Sequence, residues 1–111
     1  MSIVWLDKKF EGPFTVKYWE PPRCPVIYAI MIKPDPHNNP TSFRVLYFGH
    51  YANLSDMRFY QRHRKRQCWL NFAGQENNLH IAYLRMPKTS IEERVELLED
   101  FIARYKPVCN F

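Results

Sequence analysis

The stretch VIYAIMI, residues 26–32, is a run of apolar side chains without a single charge. A short, unbroken run rich in β-branched residues is typical of a buried strand. The segment FRVLYFG, residues 43–49, has the same character. Between them lies KPDPHNNPTS, whose three prolines and two asparagines exclude a regular element. We therefore predict two antiparallel strands joined by an exposed excursion, with Tyr47 placed where the second strand leaves the sheet.

Three further elements follow along the chain: a helix starting near Asn53, a strand over residues 78–85 and a final helix. The final helix is the clearest element. Ser90 and Glu93 have the spacing of a capping box, and Pro107 marks the end. Apolar side chains recur between these limits at helical spacing: Ile91, Val95, Leu98, Phe101 or Ile102, and Tyr105.

These elements predict a single α+β domain with a small three-stranded, mainly antiparallel sheet flanked by helices. Residues 26–111 carry the folded domain in this interpretation. Residues 1–25 contain GPF and EPPRCP and are predicted to be a loop-rich N-terminal segment, with room for one short strand in FTVKYW.

Charge and composition indicate the class of partner. A net charge of +5 and a pI near 9.2 favour a polyanion. No apolar run approaches the ~20 residues of a membrane span, and no signal peptide is recognisable, which predicts a cytoplasmic protein without a membrane partner. Three scattered cysteines predict reduced thiols, with Cys68 and Cys109 buried. Four histidines without close-spaced pairs make a zinc site improbable.

The positive charge is concentrated in RFYQRHRKRQ, residues 58–67, which carries five of the sixteen basic residues. On a helix, one face of this segment would be basic and the other apolar. The segment also lies next to the aromatic residues Tyr60 and Trp69, an arrangement that suits a phosphate backbone. The alternative is an ordinary solvated face. The residues predicted to contact nucleic acid are Arg62, Arg64, Lys65 and Arg66.

Several motifs together resemble the GIY-YIG nuclease superfamily, over about residues 25–111. The family carries Gly-Ile-Tyr on one strand and Tyr-Ile-Gly on the next, and this chain has VIY and YFG in the same order. A basic helix follows, and the closing EDFIARYKPVCN is similar to the family's ending. The residues that carry the similarity there are Phe101, Ile102, Tyr105, Pro107 and Asn110.

The resemblance implies roles for particular residues. Tyr28 and Tyr47 would meet, and one of them would help to deprotonate the attacking water. Arg58 would stabilise charge on the phosphate, and Glu99 would hold Mg²⁺ or Mn²⁺. His63, beside the basic run, is a candidate for phosphate binding or proton transfer. DNA is favoured over RNA by the resemblance alone, and no small-molecule cofactor is implied.

Two of these positions depart from the family pattern by one residue. The family's arginine position, counted from the second tyrosine, falls on Met57, and its glutamate position falls on Leu98. One residue corresponds to a rotation of about 100° on a helix. Leu98 fits the apolar stripe of the last helix, so Glu99 is expected to point away from the core.

Three functions remain open. The chain is a metal-dependent endonuclease that hydrolyses DNA phosphodiesters, or a catalytically degenerate domain that binds nucleic acid through its basic helix without cleavage. A domain that binds an acidic protein partner is the third. The two tyrosines are either site residues or ordinary core aromatics, since tyrosine is common in strands.

Overall fold

The structure, a computed structural model, describes residues 2–35, 37–38, 42–53 and 59–111. Its five strands are β1 (Ser2–Trp5), β2 (Lys8–Thr15), β3 (Val26–Ile32), β4 (Arg44–Tyr51) and β5 (His80–Arg85). Its helices are α1 (Phe59–Arg62), α2 (Arg66–Ala73) and α3 (Ile91–Tyr105), with short 3-10 helices at Glu76–Asn78 and Val108–Asn110. None of the helices within these ranges is long and apolar enough to cross a membrane.

The strands form one curled, half-barrel sheet in the order β1-β2-β5-β3-β4, with every neighbouring pair antiparallel. The central strand β3 is buried along its whole length, as its apolar run predicts. The α+β class holds, but the prediction of a three-stranded sheet flanked by helices is wrong. Residues 2–15 form a hairpin that adds two strands beyond β5, so about half of the segment predicted to be loop-rich belongs to the sheet.

The hairpin escaped prediction because its turn and its second strand lack the usual sequence signals. Leu6 and Asp7 both adopt positive φ, at 49° and 61°. Asn-Gly or Asp-Gly normally marks such a two-residue turn. Within β2, the register shifts between Glu11 and Phe14. The proline of GPF sits in that irregularity, where a missing backbone N–H is tolerated.

The remaining strands lie close to their predicted positions, and β3 and β4 pair as predicted. One detail of β4 is different, because the strand continues to Tyr51. Tyr47 therefore lies in the middle of the strand and not at its exit. Opposite Tyr47 is Ile30, and opposite Gly49 is Tyr28.

Alternation along the strands divides the core into two layers. Tyr28, Ile30 and Tyr47 lie on one face and pack with Trp69 of α2. Ile27, Ala29, Met31 and Phe48 lie on the other face and pack with Phe101 of α3. The predicted capping box of α3 is present: the Ser90 Oγ accepts from the Glu93 N–H at 3.1 Å, and Glu93 reaches back to the Ser90 N–H. The helix ends at Tyr105, shortly before Pro107.

The outer edge of β4 is closed by the C-terminal tail. The Phe48 N–H donates to Asn110 Oδ1 at 2.9 Å, and Asn110 Nδ2 donates to the Phe48 carbonyl at 2.9 Å. One side-chain amide thus satisfies both outward-facing backbone groups of Phe48, as a further strand would.

A disulfide between Cys68 and Cys109 links α2 to the same tail. The prediction of three reduced thiols is therefore wrong for this pair, and Cys24 is the free cysteine. The two bonded residues are 41 positions apart in the sequence and come together only through the fold, with 6.0 Å between their Cα atoms. Spacing along the chain carries no signal for such a pair.

The amide of Asn110 provides a direct test of how the edge is closed. Asn110→Asp keeps an acceptor for the Phe48 N–H but places a second oxygen against the Phe48 carbonyl. We expect this change to lower the free energy of unfolding by about 1–3 kcal/mol, because a buried carbonyl loses its donor. Urea unfolding measures the loss. Asn71→Asp is the control, because Asn71 Oδ1 is an acceptor for Gln67 Nε2 and aspartate keeps that role. Equal stability for both variants would contradict this role of Asn110.

Candidate functional site

Tyr28 and Tyr47 lie side by side on the sheet, with 6.0 Å between their ring centroids. Gly49 makes room for this arrangement. A Cβ atom at Gly49 would lie 2.5 Å from Tyr28 Oη and 2.8 Å from Tyr47 Cε2, distances that real Cβ atoms essentially never show. The glycine of YFG is therefore required because a tyrosine ring crosses it from the neighbouring strand.

His63 completes the cluster. Tyr28 Oη and His63 Nε2 are 2.8 Å apart and form a hydrogen bond. The imidazole centroid lies 5.2 Å from the ring of Tyr47 and 4.4 Å from that of Trp69. Trp69 is fully buried and stacks on Tyr60 on its other side. The segment after α1 is thus anchored to the sheet through one imidazole held among three aromatic rings.

The hydrogen bonds of His63 fix its tautomer. The Lys65 N–H donates to Nδ1 at 3.0 Å, so Nδ1 carries no proton. In the neutral ring the proton then sits on Nε2, which donates to Tyr28 Oη. Burial, together with the charges of Arg64 and Lys65, lowers the pKa of His63 to about 4. The imidazole is therefore neutral at pH 7.

The environment of Tyr28 favours its protonated form. Burial raises the pKa of Tyr28 well above its usual value, and its charge interaction and hydrogen bond with Tyr47 raise the pKa further. The charge of Arg64 acts in the opposite direction with a smaller effect. At neutral pH Tyr28 is a buried, protonated phenol. Its pKa is displaced away from the range of a general base, and its contact with His63 makes it a positioning residue.

Residues 62–65, which we call the basic turn, begin with the last residue of α1. They interrupt the basic helix predicted from the sequence, because α1 ends at Arg62 and α2 begins only at Arg66. The turn is closed by the Arg66 N–H, which donates to the His63 carbonyl at 3.1 Å. Turning His63 inward towards Tyr28 leaves Arg62 and Arg64 exposed and Lys65 half-buried.

Arg66 differs from its predicted partners in nucleic-acid binding. Its guanidinium lies 3.7 Å from the Glu76 carboxylate and 5.0 Å from the centroid of Tyr60. These contacts join the start of α2 to the 3-10 helix Glu76–Asn78. The Arg66 side chain nevertheless stays 35% exposed, so its contact with nucleic acid remains a prediction.

Several polar atoms behind the basic turn are buried without a hydrogen bond. They are Tyr60 Oη, Arg66 Nε and Trp69 Nε1. Such groups are few in folded proteins, and each one costs free energy. Two further atoms of this kind among the described residues, His50 Nδ1 and Arg94 Nε, lie on the side of α3, so such atoms are not confined to the region of the basic turn.

The structure does not bring Glu99 to this cluster. Glu99 is exposed on α3, which packs against the sheet face opposite to Tyr28 and Tyr47, while Leu98 packs against the core. Within the described residues, no three histidine, cysteine, aspartate or glutamate side chains could hold a metal ion together. The divalent metal that the family resemblance implies stays a prediction, because Mg²⁺ is often held by one or two carboxylates together with water and phosphate oxygens. Arg58 and Met57 lie outside the described residues.

The sequence predicts that Tyr28 and Tyr47 meet and singles out His63, but it does not show what holds these residues together. Trp69 is predicted only as an aromatic neighbour of the charges, whereas its ring centroid lies 4.4 Å from that of His63. Lys65 holds the His63 ring through its backbone N–H, and no pattern of side chains reveals such a contact. The one available signal was Gly49, since an isolated glycine in a strand often marks a close approach.

Comparison with known proteins identifies no relative. No protein-family model, curated protein or solved structure matches the chain. The function must therefore be argued from the chemistry of the site, because a fold alone does not define an activity.

Gly49→Ala tests the packing of the tyrosine pair. We expect a loss of about 1–3 kcal/mol in the free energy of unfolding, because the added methyl group overlaps the ring of Tyr28. We also expect the NMR signals of the His63 imidazole to shift, because the Tyr28 ring, whose hydroxyl group is hydrogen-bonded to His63, must move. Gly74→Ala is the control: it has no heavy atom within 4 Å of the new Cβ but strains a positive φ. It should lower stability without moving the His63 signals. An unchanged His63 spectrum in Gly49→Ala would contradict the packing described.

The protonation of His63 is directly measurable by NMR titration of its ring nitrogens. We expect the neutral Nε2–H tautomer down to a pH of about 4. Between pH 6.5 and 4, only the unfolded chain binds a proton at this residue, so its contribution to stability falls as the pH falls through that window. A pKa near 6.5, or a proton on Nδ1, would contradict the hydrogen bonds to Tyr28 and Lys65.

Proposed function

We propose that the basic turn binds the phosphate backbone of a nucleic acid. The observation that carries the proposal is the hydrogen bond between Tyr28 and His63, which fixes the turn to the sheet with its cations outward. Arg62, Arg64 and Lys65 make no ion pair among the described residues. Three cations on a short, anchored loop in a chain of net charge +5 form a surface suited to a polyanion.

The neutral His63 contributes to this surface by its position. A neutral imidazole has a small desolvation free energy inside the aromatic cluster. Its ring anchors the turn on which Arg62 and Arg64 are exposed. Guanidinium groups on an immobilised backbone pair well with phosphate oxygens because of their planar donor geometry. DNA is preferred over RNA in this proposal on the family resemblance only.

Phosphodiester hydrolysis is a second candidate function. The meeting of Tyr47, Tyr28 and His63 next to the basic turn favours it, because hydrolysis needs polar groups beside a bound phosphate. Tyr47 lies nearer the surface than Tyr28, at 9% against 2% exposed. Tyr47 is therefore the hydroxyl group of the cluster that lies nearest to a phosphate at the surface, and Tyr28 and His63 are positioning residues.

The salt dependence of DNA binding tests the primary proposal. Each phosphate contact adds about 0.9 to the slope of log K against log salt for B-DNA. We expect the triple variant Arg62→Gln/Arg64→Gln/Lys65→Gln to bind more weakly and to reduce that slope by roughly two to three units. Fluorescence anisotropy over a series of salt concentrations gives both quantities.

A variant with the same loss of charge elsewhere serves as the control. Lys8→Gln/Lys9→Gln/Arg104→Gln removes three exposed cations from β2 and α3. It should leave the slope close to that of the wild type. Equal effects of the two triple variants would show that only net charge matters and would contradict a role for the basic turn.

Nicking of supercoiled DNA with Mg²⁺ or Mn²⁺, against EDTA, tests the second candidate. If the chain cleaves DNA, we expect Tyr47→Phe to lose most of the activity, because its hydroxyl group belongs to the cluster. Glu99→Ala should retain full activity, because Glu99 is exposed on the opposite side of the sheet. Loss of nicking in Glu99→Ala would contradict this placement of the site. Absence of nicking by a folded, DNA-binding protein would leave binding as the function.

A further inference from the structure

A cavity of about 290 Å³ opens beside the C-terminal end of α2. Residues from three segments line it: Lys33, Pro34, Phe72, Gln75, Asn77 and Asn78. Asn78 builds its wall. Its Oδ1 accepts from the Lys33 N–H at 3.0 Å, and its Nδ2 donates to the Lys33 carbonyl at 3.1 Å. These bonds fix the chain after β3 to the 3-10 helix Glu76–Asn78, and Asn78 Nδ2 also donates to the Ala73 carbonyl at the end of α2 at 3.4 Å.

The lining combines three chemical elements. Phe72 is 42% exposed, unusual for a phenylalanine, and the guanidinium of Arg44 lies 5.4 Å from its ring centroid. The amides of Gln75 and Asn77 are exposed and make no side-chain hydrogen bond within the described residues. Lys33 also lines the cavity, and its Nζ lies 5.4 Å from the ring centroid of Phe43. A flat aromatic face, amide donors and acceptors, and positive charge are the groups that recognise a nucleobase and its phosphate.

The cavity is connected to the basic turn by a single helix. The turn leads into the N-terminal end of α2, and the cavity lies at its C-terminal end. Eight helical residues at 1.5 Å each span about 12 Å, which is within the reach of a few nucleotides. Trp69, between the two ends, is buried against the sheet and holds the helix in place.

We propose that the cavity takes one unpaired nucleobase from a strand whose phosphates lie on the basic turn. The base stacks on Phe72, the amides of Gln75 and Asn77 pair with its edge, and Arg44 and Lys33 neutralise the adjacent phosphate. The inference rests on the proposed nucleic-acid binding and adds a substrate class to it. Bases in an intact duplex remain stacked and paired, so the cavity selects single-stranded or locally unpaired nucleic acid.

Fluorescence anisotropy with a short labelled single strand, and with the same sequence as a duplex, tests the inference. We expect the wild type to prefer the single strand. Phe72→Leu should weaken single-strand binding roughly fivefold or more, as the loss of one stacking partner does elsewhere, and leave duplex binding unchanged. Tyr18→Leu is the control, because Tyr18 is an 83% exposed aromatic residue in the turn after β2, away from α2. It should change neither affinity.

The outcomes separate this inference from the proposed function. In one outcome, the triple variant of the basic turn binds both the single strand and the duplex more weakly, while Phe72→Leu changes neither affinity or lowers both equally. The cavity then does not take a base, and the phosphate site on the basic turn stands. If neutralising the basic turn weakens neither ligand, the proposed function itself fails. Should Phe72→Leu unfold the chain, Gln75→Ala/Asn77→Ala, which alters only exposed amides, replaces it. Selective loss of single-strand binding in that variant supports the inference, and an unchanged preference overturns it.

Discussion

The hydrogen bond between Tyr28 and His63 is the interaction on which the candidate site depends. It exists because Gly49 leaves space for the Tyr28 ring on the sheet and because the chain after α1 turns its imidazole inward. The Lys65 N–H completes the arrangement by fixing the tautomer. A polar contact inside an aromatic cluster is directional in a way that apolar packing is not, so it determines which side chains of the basic turn face outward.

The two faces of the sheet differ in composition: one forms the structural core, and the other carries the candidate site. The face against α3 is packed with apolar and aromatic side chains, stacked Phe48 and Phe101 among them, and supplies the structural core. The opposite face carries the tyrosines, His63 and α2, and combines aromatic packing with the polar groups of the cluster. The tail residues Cys109 and Asn110 join these layers at the edge strand through a disulfide and a backbone-like amide pairing. The site is thus supported from the sheet, from the helix and from the tail.

Local patterns predicted β3, α3 and the antiparallel pairing of β3 with β4, because each depends on residues that are close in sequence. The apolar run predicts β3, the capping box predicts the start of α3, and the segment between β3 and β4, which contains three prolines, predicts their connection. The hairpin of residues 2–15 was missed because Leu6 and Asp7 make a turn that favours glycine and asparagine. The Cys68–Cys109 bond was missed because tertiary proximity creates it. For the site, the motif letters predicted the meeting of Tyr28 and Tyr47. They could not show that burial keeps Tyr28 protonated, that Arg66 pairs with Glu76, or that Glu99 lies on the opposite side of the sheet from the two tyrosines.

The central claim is that the Tyr28–His63 hydrogen bond positions the basic turn for phosphate. Tyr28→Phe removes only the hydroxyl group and keeps the ring that packs over Gly49. The measurement that tests the claim most directly is the His63 pKa and the DNA affinity of this variant, taken on the same sample. The account predicts that the turn loosens and His63 becomes less buried, so that its pKa rises from about 4 towards its ordinary value while the affinity falls. Unchanged affinity would contradict it: with the pKa still near 4 the turn would hold its position without the bond, and with a risen pKa binding would not depend on that position.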